Sequence, residues 1–508
     1  MTVPTARVGD VRRTFTFAPR SEGNRSVPYL TTCRRLALMV VPVLGLAPLA
    51  AGPAQADPPD PGPRPVVPVP DDFNGDGYGD LVVADPGASV DGHAGAGAVT
   101  VLYGSATGLA DGTRRTLTQN SPEVPGSAAD GAAFGQSVAA GDLDRDGWTD
   151  LVVGAPRQAV DGVADAGTVT ILWGGSDGFA EATLLPPTEV PGEGCQWGLT
   201  LLADGMSSDG VQDLSVGTAC STHFLVGPFT RDGVPADVLT EYRPGVPGAT
   251  GHVDNDPQAE RILLRGPSDN SPGGSVWVDD WVDGQLVPTI YSSFFGRPEG
   301  TAAAAGDVNL DGHGDLILGN TYDGVTNWPV GGHVTVIPGW GGVPPTSGGY
   351  RLHQGSLTPP VAAEYGDAFG ASLSTGDVNG DGYVDLAVGV PGKDVAGRQD
   401  AGAVVVLYGS DHGLAGIGAQ WFDAGSFGGD DVLQAGARFG QTVRLADHDG
   451  DGRAELTVGA PGEAGVGCVW NAVSDDEGRV DTAGATRVCG GETGPHVESV
   501  AFGGILSP

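Results

Sequence analysis

Asp377-Val378-Asn379-Gly380-Asp381-Gly382-Tyr383-Val384-Asp385-Leu386 is the stretch that decides the fold, because the chain repeats its pattern. Four further copies keep the spacing D-x-[D/N]-x-D-G-x-x-[D/E]-L, and they begin at Asp72, Asp142, Asp307 and Asp447. Self-similarity of this kind is typical of repeat architectures, in which each unit is one supersecondary element.

Two decayed copies occupy the gap between the second and third intact ones. In the third unit only Asp209-Gly210 and Asp213-Leu214 survive. In the fourth unit the register is kept by five residues, with Pro257 in place of the glycine: His252, Asp254, Asp256, Gln258 and Glu260. The chain therefore contains seven units, of which five are intact.

Each acidic loop lies between short apolar segments. Leu386-Ala387-Val388 follows the quoted loop and stops at Gly389-Val390-Pro391, a second run spans Ala403 to Tyr408, and Phe369-Gly370 begins a segment before the loop. Short runs of Val, Thr and aromatic residues bounded by Gly and Pro predict β-strands. We expect four such strands in each unit.

A single small sheet cannot bury both of its faces, so neighbouring units must stack. Radial stacking gives a β-propeller, for which seven units is an ordinary number, and an open solenoid is the competing arrangement. The first unit lacks its own Phe-Gly strand, whereas Ala501 to Leu506 supplies a spare one. A late strand that completed the first blade would remove the exposed edge. We therefore expect an all-β, seven-bladed β-propeller over residues 71–508.

The N-terminal 56 residues have the pattern of a signal peptide. Arg34-Arg35 precede the apolar run Leu36 to Ala50, and Ala54-Gln55-Ala56 resembles a cleavage site. Residues 57–70 are rich in proline and predict an extended linker. No second apolar stretch of about 20 residues occurs, so no membrane span is expected in the mature chain. These features predict a secreted, extracellular protein.

Four of the five cysteines form two neighbouring pairs in sequence. Cys195 with Cys220 and Cys468 with Cys489 would close short loops, while Cys33 falls in the signal region. In an exported protein we expect two disulfide bonds, since no CxxC spacing indicates zinc. Four free thiols are the alternative.

The chain is strongly acidic, with a formal net charge of −38. Such a charge repels nucleic acid and anionic membrane surfaces, so neither is an expected partner. Because the carboxylates cluster at fixed spacing, cations are the expected counter-charge.

The spacing of the acidic loops matches the oxygen chemistry of calcium. Ca²⁺ takes 6–8 oxygen ligands, and a tightly curled loop directs side chains 1, 3, 5 and 9 and the carbonyl of position 7 inward. The glycine at position 6 permits the positive φ of the curl. Without metal, the carboxylates would repel one another. The alternative is a set of Asp-rich β-turns that bind no metal.

About five calcium sites are therefore expected, and the two decayed loops are expected to bind nothing. The candidate ligands are Asp72, Asn74, Asp76, Tyr78 and Asp80 in the first loop; Asp142, Asp144, Asp146, Trp148 and Asp150 in the second; Asp307, Asn309, Asp311, His313 and Asp315 in the fifth; Asp377, Asn379, Asp381, Tyr383 and Asp385 in the sixth; and Asp447, Asp449, Asp451, Arg453 and Glu455 in the seventh.

The Phe-Gly start, the acidic loop and the Gly-Ala-Pro stop together resemble the FG-GAP repeat of integrin α-chain propellers and related bacterial extracellular proteins. The resemblance covers about residues 70 to 506, and it implies calcium-binding hairpin loops on one face of the ring. It also implies a binding or cell-adhesion module whose ligand is an extracellular protein or carbohydrate. Ligands of integrin-like propellers sit on loops that share no motif, so the resemblance assigns no ligand-binding residues.

The aromatic stretch Val276 to Trp281, with Tyr291, Phe294 and Phe295, is a candidate binding face. The alternative is that these residues fill the core of two irregular blades.

No catalytic residues are predicted, because HExxH, GxSxG and phosphate-cradling motifs are absent. His223, His353 and His496 have no evident partner in the sequence, and His313 and His448 are expected to face solvent. A propeller enzyme that cleaves polysaccharide, as a lyase or hydrolase, and a purely structural envelope protein are the alternative functions.

Overall fold

The structure is a computed structural model, and it describes residues 69–507 except for 110–113, 177, 188–191, 242–245, 255, 266–273, 283, 291–299, 324–327, 342–348, 476 and 493–495. All of these residues belong to one of the two units into which the chain divides, Val66–Pro508. The predicted signal peptide and nearly all of the predicted linker lie outside the described residues, as do Tyr291, Phe294 and Phe295.

The regular secondary structure of the described residues is almost entirely β-strand. In chain order, the strands of the first half are β1 (Leu81–Asp85), β2 (Ser89–Val90), β3 (Ala98–Leu102), β4 (Arg114–Leu117), β5 (Ser137–Gly141), β6 (Asp150–Ala155), β7 (Thr168–Trp173), β8 (Glu181–Leu185), β9 (Thr200–Asp204), β10 (Asp213–Gly217), β11 (Thr222–Val226), β12 (Asp237–Glu241), β13 (Val246–Gly251), β14 (Glu260–Arg265), β15 (Ser275–Val282) and β16 (Gln285–Ile290).

The second half continues with β17 (Ala302–Gly306), β18 (Asp315–Asn320), β19 (His333–Ile337), β20 (Tyr350–Leu352), β21 (Leu373–Gly376), β22 (Asp385–Val390), β23 (Ala403–Leu407), β24 (Gln420–Phe422), the short helix α1 (Ala424–Gly428), β25 (Thr442–Ala446), β26 (Glu455–Ala460), β27 (Cys468–Ser474), β28 (Val480–Cys489), β29 (Val497–Glu498) and β30 (Ile505–Leu506). Four single 3₁₀ turns complete the elements, at Gln354–Ser356, Asp430–Val432, Glu463–Gly465 and Gly490–Glu492.

These strands form seven four-stranded antiparallel sheets, the blades of a propeller. Blades two to seven each use four consecutive strands, from β5–β8 to β25–β28. Blade one has the order β30-β1-β3-β4, because the last strand of the chain pairs with the first through Val83↔Leu506 and Ala84↔Ile505. The ribbon β2–β29 ties the two ends of the chain together a second time. The predicted all-β, seven-bladed propeller is confirmed.

The ring is closed by contacts between the innermost strands. β5 lies against β9, β9 against β13, β13 against β17, β17 against β21, β21 against β25 and β25 against β30. β1 also lies against β5, so blade one contacts blade two as well as blade seven.

The hydrophobic core is divided among the interfaces between blades. Each of the seven interfaces holds a cluster of buried apolar side chains, and the one between blades seven and one joins Leu81 and Val83 to Val469, Phe502 and Leu506. Stacking thus buries the sheet faces that no blade could bury alone. Leu at position 10 of the acidic loops is fully buried, as the alternation of the strands requires.

The Phe-Gly motif has a defined place at these interfaces. The N–H of Phe439 donates to the carbonyl of Ala401 in the preceding blade at 3.0 Å, and Phe134 bonds to Ala96 at 2.9 Å in the same way. A Cβ on Gly402 would lie 2.2 Å from the Phe439 carbonyl oxygen. Only glycine permits so close an approach. This explains why the Phe-Gly motif faces a glycine of the preceding blade, as Phe439 faces Gly402 and Phe134 faces Gly97.

The interface between blades three and four also contains a buried polar network. The Arg261 side chain is fully buried there and donates to Asp279 at 2.6 Å and to Ser215 at 3.2 Å, and it also pairs with Glu241. Its guanidinium lies over the Phe224 ring. A buried charge of this kind is tolerated because its donors are paired.

The two predicted disulfide bonds are present, Cys195–Cys220 and Cys468–Cys489. The first ties the segment before β9 to the turn between β10 and β11, and the second joins the paired strands β27 and β28. Both bonds therefore reinforce single blades.

Candidate metal sites

The acidic loops share one backbone conformation, which the sixth loop illustrates. Asp377 Oδ1 accepts a hydrogen bond from the N–H of Gly380 at 2.7 Å, and Oδ2 accepts one from Gly382 at 2.8 Å. Asn379 accepts from Asp381, and Asp381 from Tyr383. Gly382 has a φ of +89°. The side chains at positions 1, 3 and 5 therefore curl the loop around themselves, as the spacing predicts.

The five intact loops expose their acidic positions in the same graded way. Position 5 is exposed in every loop, positions 1 and 3 are mostly half-buried, and position 9 is fully buried. Every predicted side-chain ligand offers an oxygen atom that can bind a metal ion. Within each loop these oxygens extend from the solvent-exposed position 5 to the buried position 9. This donor set fits Ca²⁺, which binds carboxylate, amide and carbonyl oxygens.

The carboxylate at position 9 fastens the loop to the next hairpin of its blade. Asp80 accepts from the N–H of Phe73 at 3.0 Å and from the N–H of Gly104 at 2.9 Å. The same pair of bonds is made by Asp150, Asp315 and Asp385, in each case to a glycine 24 residues later. Position 9 therefore has a structural role of its own.

Burial raises the pKa of these position 9 carboxyls well above the ordinary value of an acid. The pKa of Asp80 and of Asp150 rises to about 8, and that of Asp385 to about 7. Hydrogen bonds from the backbone oppose the rise, and the other carboxylates of the loop add to it. A cation bound beside these groups would favour their ionised form.

Within the part of the chain that the structure describes, three groups of acidic side chains converge closely enough to hold a metal ion. In each group one ligand atom per residue lies within 4.8 Å of the others: Asp447, Asp449, Asp451 and Glu455; Asp142, Asp144 and Asp146; and Asp254, Glu260 and Asp280. The first two groups are predicted sites. In the first, fifth and sixth loops an asparagine takes position 3, so their clusters contain an amide oxygen in place of one carboxylate.

The second loop already faces a cation from the neighbouring blade. The Arg231 guanidinium pairs with both Asp144 and Asp146 and lies 4.9 Å from the centre of the Trp173 ring. Arg231 follows β11 of blade three, outside the repeat motif, and this contact could not be predicted from the sequence. One positive charge is thus shared between two of the predicted ligands of this loop.

The residues at position 7 connect the loops around the ring. The Trp148 ring lies over Gly75 of the preceding loop, Arg453 over Gly380, and Tyr78 over Gly450. Tyr78 thus joins the first loop to the seventh across the closure point. In these three loops the side chain at position 7 is therefore a packing element between loops, while its carbonyl remains the predicted ligand.

Several histidines have partners that the sequence did not indicate. His448 was expected to face solvent, but it is fully buried and its Nδ1 lies 2.8 Å from the Gly79 carbonyl oxygen. His223 is buried against Trp197 and lies 2.7 Å from Ser221 Oγ. His496 pairs with Asp91 at 3.0 Å. These contacts connect neighbouring structural elements.

The aromatic stretch of the fourth unit contributes to packing. Val276 and Val278 are buried in the core between blades four and five, and the Trp281 ring lies 5.4 Å from that of Phe224 in blade three. These contacts favour the core interpretation over a binding face for the described part of the stretch.

Fold and loops together define a class of protein, a β-propeller whose intact blades each carry an acidic hairpin loop. The sequence model of the FG-GAP repeat matches at residues 67–102, 134–172 and 369–407. The chain thus contains FG-GAP repeats, and its propeller is integrin-α-like.

Relatives of two kinds were found. Integrin alpha-PS5 of Drosophila melanogaster is 34% identical over 213 residues, covering 39% of this chain and 19% of its own length. Phosphatidylinositol-glycan-specific phospholipase D is 25% identical in Mus musculus and 26% in Homo sapiens, covering 77% of this chain and 42% of the relative. The chain therefore matches less than half the length of these relatives.

A solved structure, the V. cholerae biofilm matrix protein Bap1, aligns with a TM-score of 0.29 and 16% identity over 54% of this chain and 37% of its own. Among the described residues, no helix has the length and apolarity that a bilayer span requires.

Proposed function

We propose that the protein is a secreted, calcium-loaded FG-GAP propeller that acts as an extracellular binding or cell-adhesion module. The observation that carries the proposal is the integrin-α-like propeller with five acidic loops of one conformation. Two disulfide bonds support an oxidising, extracellular location. The ligand class is an extracellular protein or carbohydrate.

Calcium has a structural role in this proposal. Position 7 side chains join the first loop to the second, the sixth to the seventh and the seventh to the first, so cations in these loops would stiffen one face of the propeller. With free calcium at ten times Kd, each site contributes about 1.4 kcal/mol to stability. Several sites together approach the net stability of a whole domain. Magnesium is less suited, since it prefers a rigid octahedron and keeps its waters.

A binding assay tests the module. The purified protein is immobilised and exposed to a glycan panel and to intact cells, with calcium or with EGTA. The proposal predicts saturable binding in calcium, loss of binding in EGTA and no chemical change in the bound ligand. A protein that shows no saturable ligand on either panel would instead be a purely structural component.

An enzyme is the second candidate function, and the similarity to phosphatidylinositol-glycan-specific phospholipase D supports it. The expected alternative is a lyase or hydrolase that acts on polysaccharide. Incubation of the protein with the ligands retained in the binding assay, followed by mass spectrometry of the supernatant, distinguishes the two. Release of shortened or eliminated products would establish the enzyme, and intact ligand would support the module.

A further inference from the structure

The fourth loop keeps the register of the repeat but replaces its first ligand. His252 stands at position 1, and its Nδ1 lies 2.9 Å from the carbonyl oxygen of Gln258 at position 7. Asp256 accepts from Gln258 N, and Asp254 from Asp256 N, as in the intact loops. The loop thus retains its curl, while the His252 side chain at position 1 and the Gln258 carbonyl at position 7 are hydrogen-bonded to each other.

The clamp at position 9 is also incomplete in this blade. Glu260 Oε2 accepts from Val253 N at 2.6 Å, as position 9 does elsewhere. Strand β15 pairs with β14 through Arg261↔Asp279, and this register sets Asp280 opposite Glu260. Trp281 then stands where blades one, two, three, five and six have the clamping glycine. Glu260 therefore loses its second backbone donor and gains a carboxylate as its neighbour.

Two carboxylate oxygens are left without a partner as a result. Glu260 is 1% exposed, and its Oε1 is buried and has no hydrogen-bond partner among the described residues. Asp280 Oδ1 is in the same condition. Buried acceptors of this kind cost free energy unless a donor or a cation satisfies them.

No Lys or Arg of the described residues pairs with this cluster, and the basic side chains near it are His252 and His313, which act on Asp254 and oppose the rise of its pKa that burial causes. Asp254, Glu260 and Asp280 have ligand atoms within 4.8 Å of one another, and none of the three forms an ion pair with a Lys or Arg in the described part of the chain. The nearby Arg261 is bound to Asp279, Glu241 and Ser215. In the second loop, by contrast, Arg231 supplies the counter-charge.

We propose that blade four holds a divalent cation between Asp254, Glu260 and Asp280, a site that takes one ligand from strand β15. The earlier expectation that this decayed loop binds nothing is then replaced. Three carboxylates at this separation repel one another, and a cation that prefers oxygen ligands both removes the repulsion and satisfies the two orphan oxygens. Water completes the shell of 6–8 oxygens.

The metal content of the full-length protein tests the site. The chain and its Asp280→Asn and Glu260→Gln variants are dialysed against calcium, and bound metal is counted by mass spectrometry. We expect each variant to bind one ion fewer per chain than the unmodified protein. Asp237→Asn removes an exposed acid of β12 outside every cluster and is the matched control, expected to change nothing. An unchanged count in both variants would overturn the proposal.

Melting in EGTA separates a metal ligand from a structural carboxylate. Asp280→Asn removes a repelling charge, so in EGTA this variant is expected to melt at or above the temperature of the unmodified protein. In calcium it is expected to gain less than the unmodified protein does. A lower midpoint in EGTA together with the same gain in calcium would show that Asp280 serves the fold alone. The mass-spectrometric count of the unmodified protein also covers the five intact loops. Failure of the calcium proposal for those loops is therefore distinguishable from failure of the blade four site.

Discussion

Asp80 and Gly104 are 24 residues apart, and the N–H of Gly104 donates a 2.9 Å hydrogen bond to the Asp80 carboxylate. This bond joins the first acidic loop, just before β1, to the segment that follows β3. The decayed third unit keeps the same device, since Asp213 accepts from Ser207 N at 2.6 Å and from Gly227 N at 3.0 Å. Position 9 therefore persists where the acids at positions 1 and 3 are lost, because the fold needs it with or without a cation.

Replacement of position 9 should therefore destabilise the protein even without metal. We expect Asp385→Ala to cost about 2 to 4 kcal/mol in EGTA, since it leaves two buried N–H groups without an acceptor. Asp381→Asn changes an exposed ligand of the same loop and should leave stability in EGTA within about 0.5 kcal/mol. Guanidinium unfolding in EGTA measures both, and equal effects would contradict the separate role of position 9.

Calcium should raise the melting temperature of the unmodified protein in a concentration-dependent way. The rise follows from binding to the folded state alone, at about 1.4 kcal/mol per site when free calcium is ten times Kd. Differential scanning calorimetry in calcium, in magnesium and in EGTA measures it. Magnesium at the same concentration should give a smaller shift, and a midpoint that is the same in calcium and EGTA would contradict the proposed sites.

The second loop should respond differently from the others, because Arg231 already pairs with Asp144 and Asp146. Removing the guanidinium in Arg231→Gln should raise the calcium affinity of this loop and lower stability in EGTA by about 1 kcal/mol or less, as for a partly exposed ion pair. Isothermal titration with calcium measures the affinity. Arg157→Gln, at an exposed position of blade two, is the control and should change neither quantity.

Much of this arrangement could be predicted from the sequence, since the seven repeats fix the blades and the spare strand at residues 505–506 has its partner in β1. The acids of each loop could be named because one segment of chain supplies them. Arg231 and Asp280 could not be predicted, since each reaches its loop from another strand or blade and carries no repeat signal. His448 was misplaced for the same reason: its partner, Gly79, is brought to it only when the ring closes.

Closure of the ring should depend on Phe502, which is buried between blades seven and one. Phe502→Ala leaves a cavity there and should cost about 3 to 5 kcal/mol. Val500→Ala is the matched control, because Val500 is 51% exposed and only two residues away. Chemical unfolding compares the two, and a small effect of Phe502→Ala would indicate that the C-terminal segment contributes little to closure.

Mild acid should destabilise the fifth blade through His333. Burial lowers the pKa of His333 to about 4 in the folded protein, helped by the neighbouring Arg351 and His353, against an ordinary value of 6.5. Between these two values the unfolded chain binds a proton that the folded chain does not, so stability falls as the pH drops from about 6.5 towards 4. The contribution between pH 7 and pH 5 is on the order of 2 kcal/mol.

His333→Gln removes this titration, so the variant should lose less stability than the unmodified protein over that range. Both proteins are measured in EGTA by chemical unfolding, because the acidic loops then titrate alike in each and cancel in the difference. An equal loss in the two proteins would show that His333 takes up its proton as readily in the folded blade as in the unfolded chain.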